Sequence, residues 1–170
     1  MFTEKVMKLL NEQITKEFFS AYLYLHFANY YEEQGLKGFA NWFKVQAQEE
    51  RDHALLMIQY MQNNEIKVTF EAIEKPATPL KKHIDALCAS LEHEQFVTAS
   101  IHTIYEAAYE AKDFRTMQFL DWFVKEQAEE ETNATDNIKK MELFGTDSKG
   151  LYMLDQEMGT RVYAPPSLVL

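Results

Sequence analysis

Helix-breaking residues are missing from most of this chain. Its five glycines sit at 35, 38, 145, 150 and 159, and its four prolines at 76, 79, 165 and 166. The segments between these markers are long and rich in Ala, Leu, Glu, Lys, Gln and Met, which favour helix. Such punctuation leaves room for four long helices and one short one. The spacing predicts helices over about 3–33, 37–64, 80–110, 113–144 and 149–158. Gly35 is a left-handed cap for the first, and Asn63-Asn64 ends the second. Thr78 with Pro79 opens the third. Asp113 caps the fourth, and Asp147-Ser148 signals the fifth.

Helices of about 30 residues are about 45 Å long. The first two are joined by a short turn, as are the third and fourth, so each pair is expected to be an antiparallel hairpin. The connection EIKVTFEAIEKPATP (65–79) is different. Fifteen extended residues reach roughly 50 Å, enough to run the length of a bundle and start the third helix parallel to the second. The fold class expected is all-α: a four-helix bundle in one domain over 1–170, with one long crossover and a short fifth C-terminal helix. Hydrophobic residues make up 46% of the chain and aromatics 14%, too many for a disordered polypeptide. No run of about 18 apolar residues points to a membrane span. The N-terminus MFTEKVMKLLNEQ lacks the pattern of a secretory signal. Cys88 is the single cysteine, which rules out an internal disulfide and fits a reducing cytoplasm. A net charge of −10 disfavours nucleic acid and favours cations.

The core-facing seams carry the functional signal. At 3-4 spacing the first helix presents Leu10, Ile14, Glu17, Ala21, Tyr24, Ala28 and Tyr31. The second presents Phe39, Phe43, Gln46, Glu50, His53, Met57 and Met61. The third gives Leu87, Leu91, Glu94, Thr98, Ile101 and Tyr105. The fourth gives Leu120, Phe123, Gln127, Glu130, Ala134, Asn137 and Met141. Each seam is largely apolar and each carries a carboxylate near its middle. Glu17 to Glu50 spans 33 residues, as does Glu94 to Gln127, and a shift of 77 maps the first hairpin onto the second. The hairpins read as two copies of one unit. Packed together, they bring four carboxylates and one imidazole to one level. No Lys or Arg lies on a seam to balance them, so they are partly protonated or neutralised by cations. Two divalent metals would match the four charges. Oxygen-rich sites with one imidazole suit iron or manganese. A lone Glu-x-x-His is weak evidence, because solvated acidic helices are common. Agreement of four seams is much stronger, and it has the layout of dinuclear carboxylate bundles.

On Glu17, Tyr24, the EERDH run at 49–53, Glu94 and the EQAEE run at 126–130, the sequence resembles the ferritins, specifically the non-haem bacterial type, over nearly its whole length. The resemblance implies an iron-storage subunit that oxidises Fe(II) with dioxygen or peroxide and assembles with copies of itself into a hollow 24-subunit shell. Glu17, Glu50 and His53 would bind one iron. Glu50, Glu94 and Glu130 would bind the second, with Gln127 as a hydrogen-bonding neighbour. Glu49, Glu126 and Glu129, with Glu130, match a third iron site. Tyr24 and Trp122 match aromatics that can supply electrons. Arg51 stands where haem-binding relatives carry a methionine, so no haem is expected. One cysteine excludes the rubrerythrins, and a site built within one chain excludes the small cages whose sites lie between subunits. Two other functions fit the same residues: a di-metal oxidase that forms no shell, and a shell subunit that buffers metal without oxidising it. His26, His83, His93 and His102 are expected at the surface or at subunit contacts. Val68–Phe70 is a candidate for pairing with a symmetry mate.

Overall fold

The computed structural model describes residues 2–170. Five helices follow in order: α1 (Glu4–Glu33), α2 (Lys37–Asn63), α3 (Asp85–Glu110), α4 (Phe114–Phe144) and α5 (Ser148–Met158), and no strand occurs among the described residues. Cross-helix hydrogen bonds fix the directions. On α1 the partners climb from Gln13 to Ser20 and Tyr24, while on α3 they descend from Ser100 to His93 and Glu94. The same descent relates α2 to α4, through Gln46 with Glu130 and Tyr60 with Thr116. α3 therefore runs parallel to α2, and the intervening segment crosses the length of the bundle.

Three helix ends close in one way. The N–H of Leu36 reaches Tyr31 O (2.9 Å), that of Ile66 reaches Met61 O (2.9 Å), and that of Asp113 reaches Ala108 O (2.8 Å). Each is the six-residue closure of a Schellman end, with Gly35, Glu65 and Lys112 in the left-handed conformation it requires. Gly35 and Lys112 occupy matching places in the two hairpins.

The start of α3 is a correction. The Thr78-Pro79 signal does not open a helix; α3 begins at Asp85, whose carboxylate accepts the N–H groups of Lys81 (2.8 Å) and Lys82 (2.7 Å). Those bonds close a turn over 81–85 and leave Leu80 and the prolines in the extended crossover. The seam of α3 is also displaced by one residue at alternate turns. Ser90, Val97 and Ile104 are buried, while Leu91, Thr98 and Tyr105 are only half-buried. Glu94 stays inward in either phase.

The crossover has no strand. Asn11 accepts from Thr69 N (2.8 Å) and donates to Thr69 O (3.0 Å), so both backbone groups of Thr69 are satisfied within the chain.

α5 docks at the start of α2. Leu36 offers α2 no side-chain cap. Asp155 supplies it instead, its Oδ1 accepting from Gly38 N (2.8 Å) and Phe39 N (3.0 Å). The approach requires glycine: a Cβ at position 38 would lie 1.6 Å from Asp155 O.

The core is split. One apolar cluster holds Leu10, Ile14, Met57, Ile101, Leu120 and Phe123. The other holds Tyr24, Phe27, Tyr31, Phe43, Leu87 and Met141. On each of α1–α4 the buried carboxylate falls between the two.

Candidate metal centre

Glu17, Glu50, His53, Glu94, Gln127 and Glu130 are all buried at this level. The 3.6-residue period places Glu50 and His53 on one face of α2, and Gln127 and Glu130 on one face of α4. Two groups of three side chains bring ligand atoms within 4.8 Å of one another: Glu17, Glu50 and His53, and Glu50, Glu94 and Glu130. Glu50 belongs to both.

A hydrogen-bond donor fixes each carboxylate. Gln13 donates to Glu17 Oε1 (2.7 Å), and is itself held by Ser100 (2.7 Å). Gln46 donates to Glu50 Oε1 (2.9 Å) and Glu130 Oε2 (2.8 Å). The Tyr24 hydroxyl donates to Glu94 Oε1, and Gln127 to Glu94 Oε2 (3.0 Å). His53 is held edge-on by Trp122 and Phe123, with ring centroids 5.5 and 5.8 Å away. Glu17 Oε2, Glu50 Oε2 and His53 Nδ1 remain buried without a hydrogen-bond partner. The imidazole nitrogen is 3.4 Å from the Glu50 oxygen and 4.0 Å from the Glu17 oxygen. Unpaired buried polar atoms are costly, and three converging on one point fit a cation. The donor set of hard carboxylates and one imidazole suits iron.

The metal-free charge state follows from burial. Desolvation, then repulsion from Glu50, pushes Glu17 up to about 8 and Glu130 up to about 8. The same causes hold Glu94 well above the usual carboxylate range. Burial also acts against ionised Glu50, but His53 and Gln46 outweigh it and keep that carboxyl below its ordinary value. Burial opposes charge on His53, yet Glu50, Glu17 and Glu130 together raise it to about 10. Without metal, burial favours the protonated form of Glu17, Glu94 and Glu130, and the pairing with Glu50 favours charge on His53.

The residues matched to a third site are less gathered. Glu49 and Glu126 are half-buried and Glu129 is exposed. Burial first, and repulsion from neighbouring carboxylates including Glu50, raises both Glu49 and Glu126. Glu49 forms an ion pair with Arg161, a residue that helix periodicity could not flag because it lies beyond α5 in irregular chain. Arg51 is exposed, but Asp52 is half-buried and accepts from Tyr163, so it is more than a solvated charge. His102 is exposed. His93 is half-buried, as are His26 and His83: its Nε2 lies 2.7 Å from Ser20 Oγ, and its ring packs on Phe19 and Tyr24. Burial pushes its pKa down.

Known proteins resemble this chain in sequence and in shape. The ferritin-like domain matches residues 7–144. The bacterial non-heme ferritin of Campylobacter jejuni is 38% identical over 92% of this chain and 93% of its own length. That of a Staphylococcus aureus strain is 34% identical over 96% and 98%. Among solved structures, an open-pore ferritin from the archaeon Archaeoglobus fulgidus superposes with a TM-score of 0.93 at 42% identity, covering 95% of this chain and all (100%) of that one. A humanized archaeal ferritin reaches 0.94 at 41%, over 97% and 100%. With a core divided by a layer of buried acids and full-length likeness in both sequence and shape, the chain belongs to the ferritin family and groups there with the bacterial non-heme ferritins.

Proposed function

We propose that this chain stores iron: it oxidises Fe(II) to Fe(III) and deposits it as ferric oxyhydroxide inside a shell of 24 copies in the cytoplasm. The observation that carries the reading is the pair of three-ligand groups sharing Glu50, with three unpartnered atoms converging in the first of them. Glu17, Glu50 and His53 hold one Fe(II) as substrate; Glu50, Glu94 and Glu130 hold the other. Each iron gives one electron and dioxygen takes two. The carboxylates stabilise the ferric charge more than the ferrous, which favours oxidation. Gln13, Gln46 and Gln127 keep the ligand oxygens aimed inward while iron enters and leaves. The contacts of Tyr24 with Glu94 and of Trp122 with His53 support a role for these aromatics as donors of further electrons to dioxygen. Glu49, Glu126 and Glu129, with Glu130, form the third metal station, where Glu49 already pairs with Arg161. A net charge of −10 draws cations to the shell. Among the described residues no helix is long and apolar enough to cross a membrane.

Aerobic addition of Fe(II) to the purified protein tests the reading through oxygen uptake, iron counting and particle size. Rapid uptake is expected, with the initial rate lost in Glu50→Ala and Glu130→Ala. Unchanged rates in both variants would refute the site. A particle the size of one or two chains would refute storage, and assembly with metal binding but no oxidation would leave a buffering shell.

A further inference from the structure

The chain after α5 folds back over the metal layer. Asn41 donates to Arg161 O (2.9 Å), Tyr163 donates to Asp52, Trp122 Nε1 donates to Ser167 Oγ (2.9 Å), and Leu168 packs on the core cluster below the acids. These contacts take the tail along α2 and across to α4. Arg161 is its inward charge. The guanidinium lies over the Trp42 ring (4.1 Å), donates to Gln46 Oε1 (2.7 Å) and pairs with Glu49 Oε2. It is mostly buried, with 15% of the side chain exposed.

We propose that Arg161 is a resident cation occupying the third metal station, which holds each subunit at two metal ions while the tail is in place. The inference rests on the dinuclear reading above. The guanidinium engages Glu49 Oε2 and draws on the charge of that carboxylate, which weakens it as a metal ligand. A divalent ion drawn to Glu49 and Glu126 would also meet a fixed positive charge in a half-buried setting, where repulsion is poorly screened. Through Gln46 the same guanidinium orients the first layer: with Oε1 taken by Arg161, the Gln46 amide must point its N–H groups at Glu50 and Glu130. Arg161 is thus a positioning residue for two ligands and a competitor at a third place. Its grip is reinforced from both sides by Asp155 on α2 and Tyr163 on Asp52, so a third metal ion must displace the tail.

Anaerobic titration with Co(II) tests this, read by calorimetry and by the visible absorption of the bound ion. The wild type is expected to bind two ions per subunit tightly, and Arg161→Ala three. Adding Glu49→Gln to Arg161→Ala returns the count to two. Arg161→Gln keeps a hydrogen-bonding group but not the charge, and carries the test if alanine disorders the tail. Three tight sites in the wild type, or two in both Arg161 variants, overturns the proposal. Fewer than two in the wild type instead refutes the dinuclear reading, and the proposal with it.

Discussion

Replacing Gly38 with alanine sets two physical effects against each other. Gly38 lies in the first turn of α2, and helix propensity alone predicts a gain of up to about 1 kcal/mol for Gly38→Ala. The structure predicts the opposite. A Cβ there meets the Asp155 carbonyl carbon at 2.6 Å as well as its oxygen at 1.6 Å. Neither is a flexible side-chain end, so α5 must move away. Moving it breaks the two bonds to Asp155 Oδ1, each worth about 1.5–3 kcal/mol as a hydrogen bond to a charged group. It also loosens Leu154 and Met158, which are 3% and 2% exposed, at about 1.5–3 kcal/mol for each side chain fully released. Partial relaxation recovers some of this, leaving a net loss on the order of 4 kcal/mol. At about 2–4 °C per kcal/mol in a chain of this size, the melting midpoint falls by roughly 10 °C. Thermal denaturation followed by circular dichroism measures the midpoint, and limited proteolysis with mass spectrometry shows whether cleavage moves into 146–170. A variant as stable as the wild type, with an unchanged cleavage pattern, would refute the reasoning.

Two other outcomes are expected. Glu17 and Glu130 rise from 4.5 in the unfolded chain to about 8 in the fold, and His53 from 6.5 to about 10. In each case the folded state holds the proton more tightly, so the contribution is full below the unfolded value and lost as pH rises through the folded one. The metal-free protein should therefore lose stability from about pH 5 to pH 9, while metal affinity rises over the same range because binding must release those protons. Melting curves with and without Co(II) check both signs; a metal-free midpoint that climbs with pH contradicts the assignment. Asp113→Ala removes the cap that accepts Thr116 N (3.2 Å) and Thr116 Oγ1 (2.6 Å), and should cost about 1–2 kcal/mol in chemical denaturation. No measurable change would show that α4 starts without it.

What the sequence revealed divides along physical lines. Glu50, His53, Gln127 and Glu130 were legible because the helical period alone fixes their direction once α2 and α4 are recognised. α3 was read less well. Leu91 and Tyr105 are more apolar in appearance than Ser90, yet half-buried where Ser90 is buried, so hydrophobicity pointed one residue away from the packed face. The start of α3 departs from the Thr78-Pro79 signal because the bonds of Asp85 to Lys81 and Lys82 override it. Asp155 and Arg161 had no local signal at all. Their partners lie more than a hundred residues away on α2, and Arg161 sits in chain with no period to read. The contacts of His93 had no signal in the period either, because a half-buried position beside the seam still packs on the neighbouring helix, here against Ser20 and Tyr24.

The matched turns at Gly35 and Lys112 carry a consequence for symmetry. Two identical hairpins paired about a two-fold axis would have to place the same side chain at both related positions. Joining them in one chain by the crossover lifts that restriction. Here Glu17 keeps its counterpart in Glu94, but Glu50 corresponds to Gln127 and His53 to Glu130. One cluster then has an imidazole nitrogen, and the other has oxygen alone. Two ions held this way would be chemically distinct, and could fill in order and leave in order. A strictly symmetric pair could not make that distinction.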